Sequence, residues 1–343
     1  MSAPLRRFPD GVPDGLLDRP VREVLRELGT TTWLRVPGTG EQPARAVATL
    51  LHGDESTGLE AVLQVLRRRP RFPFDLHVVL GNVEAALHGS GFAHRYLDGQ
   101  EDGNRVWNGS SPSASSPQRR AADAVLAELV ATPLAGLIDL HNTTGANPFH
   151  ALVTRDDDAS LELATRFSTT LLRWEFGAGT LLEAVADHAP AAAVECGLPG
   201  RQASTAFAID GLRRFLGPRP GAFPAPEHDL LGAMRRVRIR PDVRFRFGGV
   251  PDGEVDLALV PDGDGANLRE VPAGHVIGHV RVGAPQPLVV TAADGTDVTD
   301  RIVAVQPDGA VVTQEPATPV MVVRTVEAAR KDCLCYLASR STG

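Results

Sequence analysis

Ala46-Val47-Ala48-Thr49-Leu50-Leu51-His52-Gly53-Asp54-Glu55 is the stretch whose reading decides the fold. Six apolar or small residues in a row fit a strand buried on both faces, the kind found in the middle of a parallel sheet. The run then breaks into a polar turn, and Ser56–Arg69 follows with helical spacing. A second apolar run, Leu137-Ile138, leads in the same way into Asp139-Leu140-His141-Asn142-Thr143-Thr144. The strand ends of an α/β sheet are where such folds place their ligands. Two such ends here deliver His52, Glu55 and His141, a His₂Glu set that suits hydrolytic zinc with one position left open.

Working outward, strand signals at Trp33–Val36, Leu76–Leu80, His150–Thr154 and Ala191–Glu195 alternate with helix signals at Gln118–Ala131, Ser160–Glu175 and Ala203–Leu216. An amphipathic helix is expected over Asp14–Gly29, with Gly29 as its stop. That rhythm predicts a mostly parallel or mixed α/β sheet flanked by helices. After Gly217 the pattern changes. Residues 218–226 are rich in proline and glycine and read as a linker. Beyond them come short strand runs separated by Asp-Gly and Pro-Asp turns, at Arg235–Ile239, Val255–Val260, His275–Val282, Pro287–Thr291, Ile302–Gln306, Ala310–Thr313 and Pro319–Arg324. This predicts a catalytic domain over 1–217 and a small all-β domain over 227–343.

The chain of 343 residues carries a formal charge of −7, which gives no support to nucleic-acid binding. No apolar stretch reaches membrane-spanning length, and residues 1–10 lack the apolar core of a secretion signal. With three cysteines (Cys196, Cys333, Cys335) and no framework, a cytoplasmic location is expected. The sequon Asn108-Gly109-Ser110 and the serine-rich patch 110–117 carry little weight in that setting. Cys196 reads as a small core residue, and His77, His88, His94, His150, His275 and His279 as structural histidines.

Within the candidate site, Asp139 and Asn142 are alternative partners for the second nitrogen of His141, because ligating histidines usually donate their other N–H to an acceptor. Glu195 closes the apolar run Ala191-Ala192-Ala193-Val194. A carboxylate there is costly unless paired or used, and it suits a base that takes a proton from water and passes it to a leaving amine. Arg95 and Arg105 lie in a polar, turn-rich segment as candidates to polarise a carbonyl and to hold a carboxylate.

Taken in order, these pieces resemble the succinylglutamate desuccinylase and aspartoacylase family of the zinc carboxypeptidase-like superfamily. His52-Gly53-Asp54-Glu55 looks like its His-Gly-x-Glu. Gly81-Asn82, Arg95-Tyr96-Leu97-Asp98 and Asp102-Gly103-Asn104-Arg105 look like its Gly-Asn, Arg-Tyr and Asp-x-Asn-Arg elements. Asp139-Leu140-His141-Asn142-Thr143-Thr144 is similar to the aspartoacylase form of the third-ligand motif, and Val194-Glu195-Cys196-Gly197 to its catalytic glutamate segment. The resemblance spans roughly 46–217, and a β-rich C-terminal domain belongs to it.

The resemblance implies one zinc ion per chain held by His52, Glu55 and His141. It makes Arg95 the oxyanion stabiliser, Asn104 and Arg105 the substrate-carboxylate binders, and Glu195 general base and then general acid. The implied partner is a small N-acyl amino acid, with a homo-oligomer left open. Two features differ from the aspartoacylase pattern. Trp174–Val194 contains no arginine, and the one tyrosine of the C-terminal region, Tyr336, lies near the chain end. Rival readings are a zinc carboxypeptidase acting on short peptides, whose terminal carboxylate Asn104 and Arg105 would hold equally well, and a catalytically silent metal- or metabolite-binding protein.

Overall fold

The computed structural model describes residues 5–107, 116–217 and 225–340, so the sequon and most of the linker fall outside them. The chain divides into two compact units.

In the first unit the elements run β1 (Arg6–Phe8), α1 (Val21–Leu28), β2 (Thr32–Val36), β3 (Ala44–Thr49), α2 (Ser56–Leu66), β4 (Leu76–Leu80), α3 (Val83–Leu87), α4 (Pro117–Val130) and β5 (Leu134–His141). They continue as β6 (His150–Val153), α5 (Asp158–Thr165), β7 (Thr170–Arg173), α6 (Leu181–Ala186), β8 (Ala191–Glu195) and α7 (Gln202–Phe215). Its strands lie in the order β1-β2-β4-β3-β5-β8-β6-β7. The centre, β4-β3-β5-β8, is parallel, while β2 and β6 run antiparallel to their neighbours β4 and β8. This is the expected mixed α/β sheet. Every residue of β3 is buried, which is why its sequence shows no alternation.

Three local expectations change. The N-terminal helix is confined to Val21–Leu28, because Pro13, Gly15 and Pro20 break the earlier residues into turns and Pro20 stands at the N-cap. The helix expected over Ser160–Glu175 ends at Thr165, and Thr170–Arg173 is a strand. Its β-branched Thr170 and two fully buried leucines fit a sheet position better than a fourth helical turn. Leu181–Ala186 forms an unpredicted helix, started by a capping box between Thr180 and Glu183.

The second unit gathers Leu230–Gly343 with two short insertions from the first half of the chain, Thr143–Pro148 and Arg173–Phe176. Its elements are β9 (Asp229–Ile239), β10 (Phe245–Phe247), β11 (Leu257–Leu259), β12 (Val276–Val280), β13 (Leu288–Thr291), α8 (Thr299–Ile302), β14 (Val303–Val305), β15 (Ala310–Thr313), β16 (Thr318–Val320), α9 (Val326–Lys331) and β17 (Cys335–Arg340). β10-β11-β12-β15-β14 form a small sheet, and β9 pairs antiparallel with both β13 and β17. Val237, Leu257, Leu259, Leu288, Val290 and Val311 fill its core. His279 sits in β12 with His275 just before it, as their strand-like surroundings predict. Tyr336 is buried in this unit, its ring against Trp174 and Phe176 at 5.4 and 5.2 Å. No helix among the described residues is long and apolar enough to cross a membrane.

Candidate metal centre

The parallel pairing of β3 with β5, and of β5 with β8, carries three chain segments to the same end of the sheet. Beyond β3, Leu50 adopts a left-handed backbone (φ 58°) although it is fully buried. Such a conformation costs of order 1–3 kcal/mol and persists only where surrounding structure enforces it. Here the carbonyls of Thr49 and Leu50 accept hydrogen bonds from Gly81 and Asn82. The bend turns the chain out of the sheet just before His52. Gly53 then packs against α3 so closely that a Cβ would stand 2.6 Å from Ala85 Cβ and Ala86 N.

The turn brings His52 and Glu55 together, and β5 ends on His141. Ligand atoms from all three, each buried, lie within 4.8 Å of one another. Both rings present the same nitrogen to Glu55. His52 Nδ1 is 2.7 Å from Glu55 Oε1, and His141 Nδ1 is 2.8 Å from Glu55 Oε2. Each Nε2 faces another carboxylate, Asp102 Oδ1 at 2.9 Å for His52 and Asp139 Oδ2 at 2.8 Å for His141. Asp139 is fully buried, and its carboxylate stands at short range behind the His141 ring.

Of the two residues considered beside His141, Asp139 therefore faces its second nitrogen. Asn142 has a different task. Its backbone N–H donates to Glu55 Oε2 at 3.2 Å, its Oδ1 accepts from Thr57 N, and its Nδ2 donates to Thr57 Oγ1 and the Gly197 carbonyl. It pins the start of α2 to the turn after β8. Asp102, quoted in the sequence only as part of a motif, is the residue whose role the sequence did not assign; its place in a loop gives no local signal that it reaches back to His52.

The remaining candidates lie in the same unit. Arg95 Nε donates to Asp102 Oδ2 at 3.1 Å, and its Nη1 is 3.7 Å from Glu55 Oε1. Asn104 is buried; its Oδ1 accepts from Leu181 N at the start of α6, and its Nδ2 stands 3.4 Å from His141 Nε2. Arg105 donates to the carbonyl of Asn104. Glu195 is aligned with His141 across the β5–β8 pairing. It keeps partial solvent access, yet its Oε2 is enclosed with no hydrogen-bond partner. Cys196 is a buried thiol, and the fully buried His150 is aligned with Glu195 on the antiparallel neighbour β6.

The electrostatics follow from this packing. Burial pushes the Glu55 carboxyl up, but the two imidazoles overcome it and hold it well below the usual carboxylate range. Burial, opposed by Arg95 and His52, leaves Asp102 low as well. Both histidines are raised despite burial, His52 by Glu55 and Asp102, and His141 strongly by Asp139 and Glu55. Burial dominates at Glu195 and lifts its carboxyl to about 7, against the pull of His141.

These residues fit a divalent cation. With Nε2 of each histidine turned to a carboxylate, each Nδ1 is the nitrogen presented to Glu55, and the nitrogen and oxygen donors converge where Nδ1 protons otherwise sit.

No family model matches the chain, and no curated protein matches it. Solved structures do. A succinylglutamate desuccinylase from Vibrio parahaemolyticus aligns over 89% of this chain and 83% of its own, at 16% identity and a TM-score of 0.57. The chain has the fold of the succinylglutamate desuccinylase and aspartoacylase family. The succinylglutamate desuccinylase of Chromobacterium violaceum (20% identity, 82% and 88% covered, TM-score 0.50) and murine aminoacylase 3 (14%, 87% and 96%, 0.51) are similar in the same way. The family resemblance drawn from the ordered motifs thus agrees with the fold. At these identities the likeness concerns the fold, and the chemistry must come from the residues.

Proposed function

We propose that the protein is a zinc-dependent amidohydrolase that deacylates an N-acyl amino acid or a related small N-acyl amine. One observation carries the reading. A buried His52–Glu55–His141 set, each imidazole backed by a carboxylate, lies at the same sheet end as a carboxylate, Glu195, whose inner oxygen has no partner. A silent binding protein needs the ligands but gains nothing from an enclosed, unpaired Glu195.

His52, Glu55 and His141 would hold the cation, and zinc is the ion this borderline-soft set suits. Bound there, it supplies Lewis acidity toward a water and a substrate carbonyl. Glu195 accepts a proton from the attacking water as the new C–O bond forms. It returns that proton to the amide nitrogen as the C–N bond breaks, so that a carboxylic acid and a free amine leave. Its elevated affinity for the proton matches both halves of that exchange. Arg95 stands 3.7 Å from Glu55 Oε1, where its guanidinium can face a developing oxyanion. Arg105, on the segment that also carries Asn104, is the cation assigned to a substrate carboxylate.

Amine release from N-acetyl and N-succinyl amino acids, run beside short peptides with the zinc-loaded protein, tests this reading. Turnover of an acyl amino acid supports the deacylase. Turnover of peptides alone moves the protein to the carboxypeptidases, and no turnover of either leaves a binding protein.

A further inference from the structure

A cavity of about 440 Å³ lies wholly within the first unit, beside the loop that carries Asp102 and Asn104. Its size falls in the range of small-molecule sites, roughly 300–1,000 Å³. Gly103 lines it, while the two neighbours of Gly103 in sequence turn to the metal centre, Asp102 to His52 and Asn104 to His141. His52, Glu55, His141 and Glu195 are not among its lining residues, so it is a space apart from the site described above.

The lining divides by chemistry. Leu51, Val83 and the Trp107 indole, all buried, give the cavity an apolar floor. Charged side chains of both signs line it as well: Glu84 in the first turn of α3, Asp98 in the loop and Arg120 near the start of α4, each exposed. Glu84 is steadied by Gln100, whose Nε2 donates to its Oε2 at 3.0 Å, and Gln100 Oε1 accepts in turn from Asn82 Nδ2 at 2.9 Å. One carboxylate is thus held in place before any ligand arrives. An occupant that answers all three parts carries an ammonium for the carboxylates, a carboxylate for the guanidinium and an apolar body for the floor. A plain amine leaves Arg120 unanswered, and a plain acid is repelled by Glu84 and Asp98.

We infer that this cavity is a second small-molecule site, which binds a free α-amino acid with an apolar side chain as its zwitterion. The inference goes beyond the deacylase reading and does not depend on it. Under that reading the ligand belongs to the class released as the amine product, held at a place apart from the metal.

Calorimetry with the full chain tests it on three ligands of one skeleton: phenylalanine (both charges), phenethylamine (ammonium alone) and 3-phenylpropionate (carboxylate alone). Phenylalanine should bind about fivefold or more tighter than either of the others. Glu84→Gln combined with Asp98→Asn should erase its advantage over 3-phenylpropionate, and Arg120→Gln should erase its advantage over phenethylamine. All three side chains are exposed, so these variants keep the fold. No binding of phenylalanine, or binding no tighter than that of the single-charge ligands, overturns the inference. So does an advantage that survives both variants, because it places the amino acid elsewhere, the metal centre included. None of these outcomes touches the deacylase reading, which stands or falls on turnover of acyl amino acids.

Discussion

Asp102 Oδ1 lies 2.9 Å from His52 Nε2, on the side of the imidazole away from Glu55. It fixes the ring so that Nδ1 points at the other ligands, and Arg95 in turn holds Asp102. Acceptors behind a ligating histidine commonly contribute ~10–100-fold in metal affinity. Asp102→Asn should therefore weaken zinc binding by about that factor, read by competition with a chromophoric chelator. Unchanged affinity would remove Asp102 from the centre.

The base assignment gives a kinetic prediction. Glu195→Gln should keep its zinc and lose roughly 10²–10⁴-fold in kcat. In the wild-type enzyme Glu195 must be ionised to accept a proton, so kcat should rise with pH along an acid limb. Burial lifts the Glu195 carboxyl to about 7 in the metal-free protein, and a bound cation favours its ionised form. The limb should therefore fall at or below pH 7. A limb unchanged in the Gln variant, or substantial remaining turnover, would exclude Glu195.

Proton linkage offers a test independent of turnover. His141 is held well above its ordinary value by Asp139 and Glu55 in spite of burial, so at neutral pH it carries a proton in the metal-free protein. A cation must displace protons from the histidines, and affinity should rise with pH. Calorimetry in buffers of different ionisation enthalpy should detect proton release on zinc binding at pH 7, and none would contradict the geometry. The sign for stability is the reverse: raised histidines stabilise the metal-free fold below their unfolded values, and that contribution fades as pH climbs through their folded ones.

Asn142 supplies a structural prediction. Asn142→Ala removes three side-chain hydrogen bonds and strands the buried Thr57 N–H and Gly197 carbonyl. Leaving one buried group unsatisfied costs ~1–3 kcal/mol, so the variant should unfold at clearly lower denaturant, and an unchanged midpoint would contradict this role.

Much of this was readable in the sequence because the central strands are buried on both faces and end in polar turns. The unbroken apolar runs before His52 and Glu195 read as sheet interior, and their ends gave the site. What escaped was set by distance or by short elements. Asp102 reaches His52 across a loop, and α6 depends on a capping box rather than on periodicity. The strand Thr170–Arg173 was hidden by apolar residues that continue the pattern of α5 across a turn. The pairing of Asp139 with His141 needed coordinates, because spacing allowed Asn142 equally.

The most direct test is zinc content by elemental analysis of the reconstituted wild-type protein beside His141→Ala. The account predicts one zinc per chain in the wild type and loss of it in the variant, whereas no stoichiometric metal in the wild type, or equal zinc in both, would contradict it.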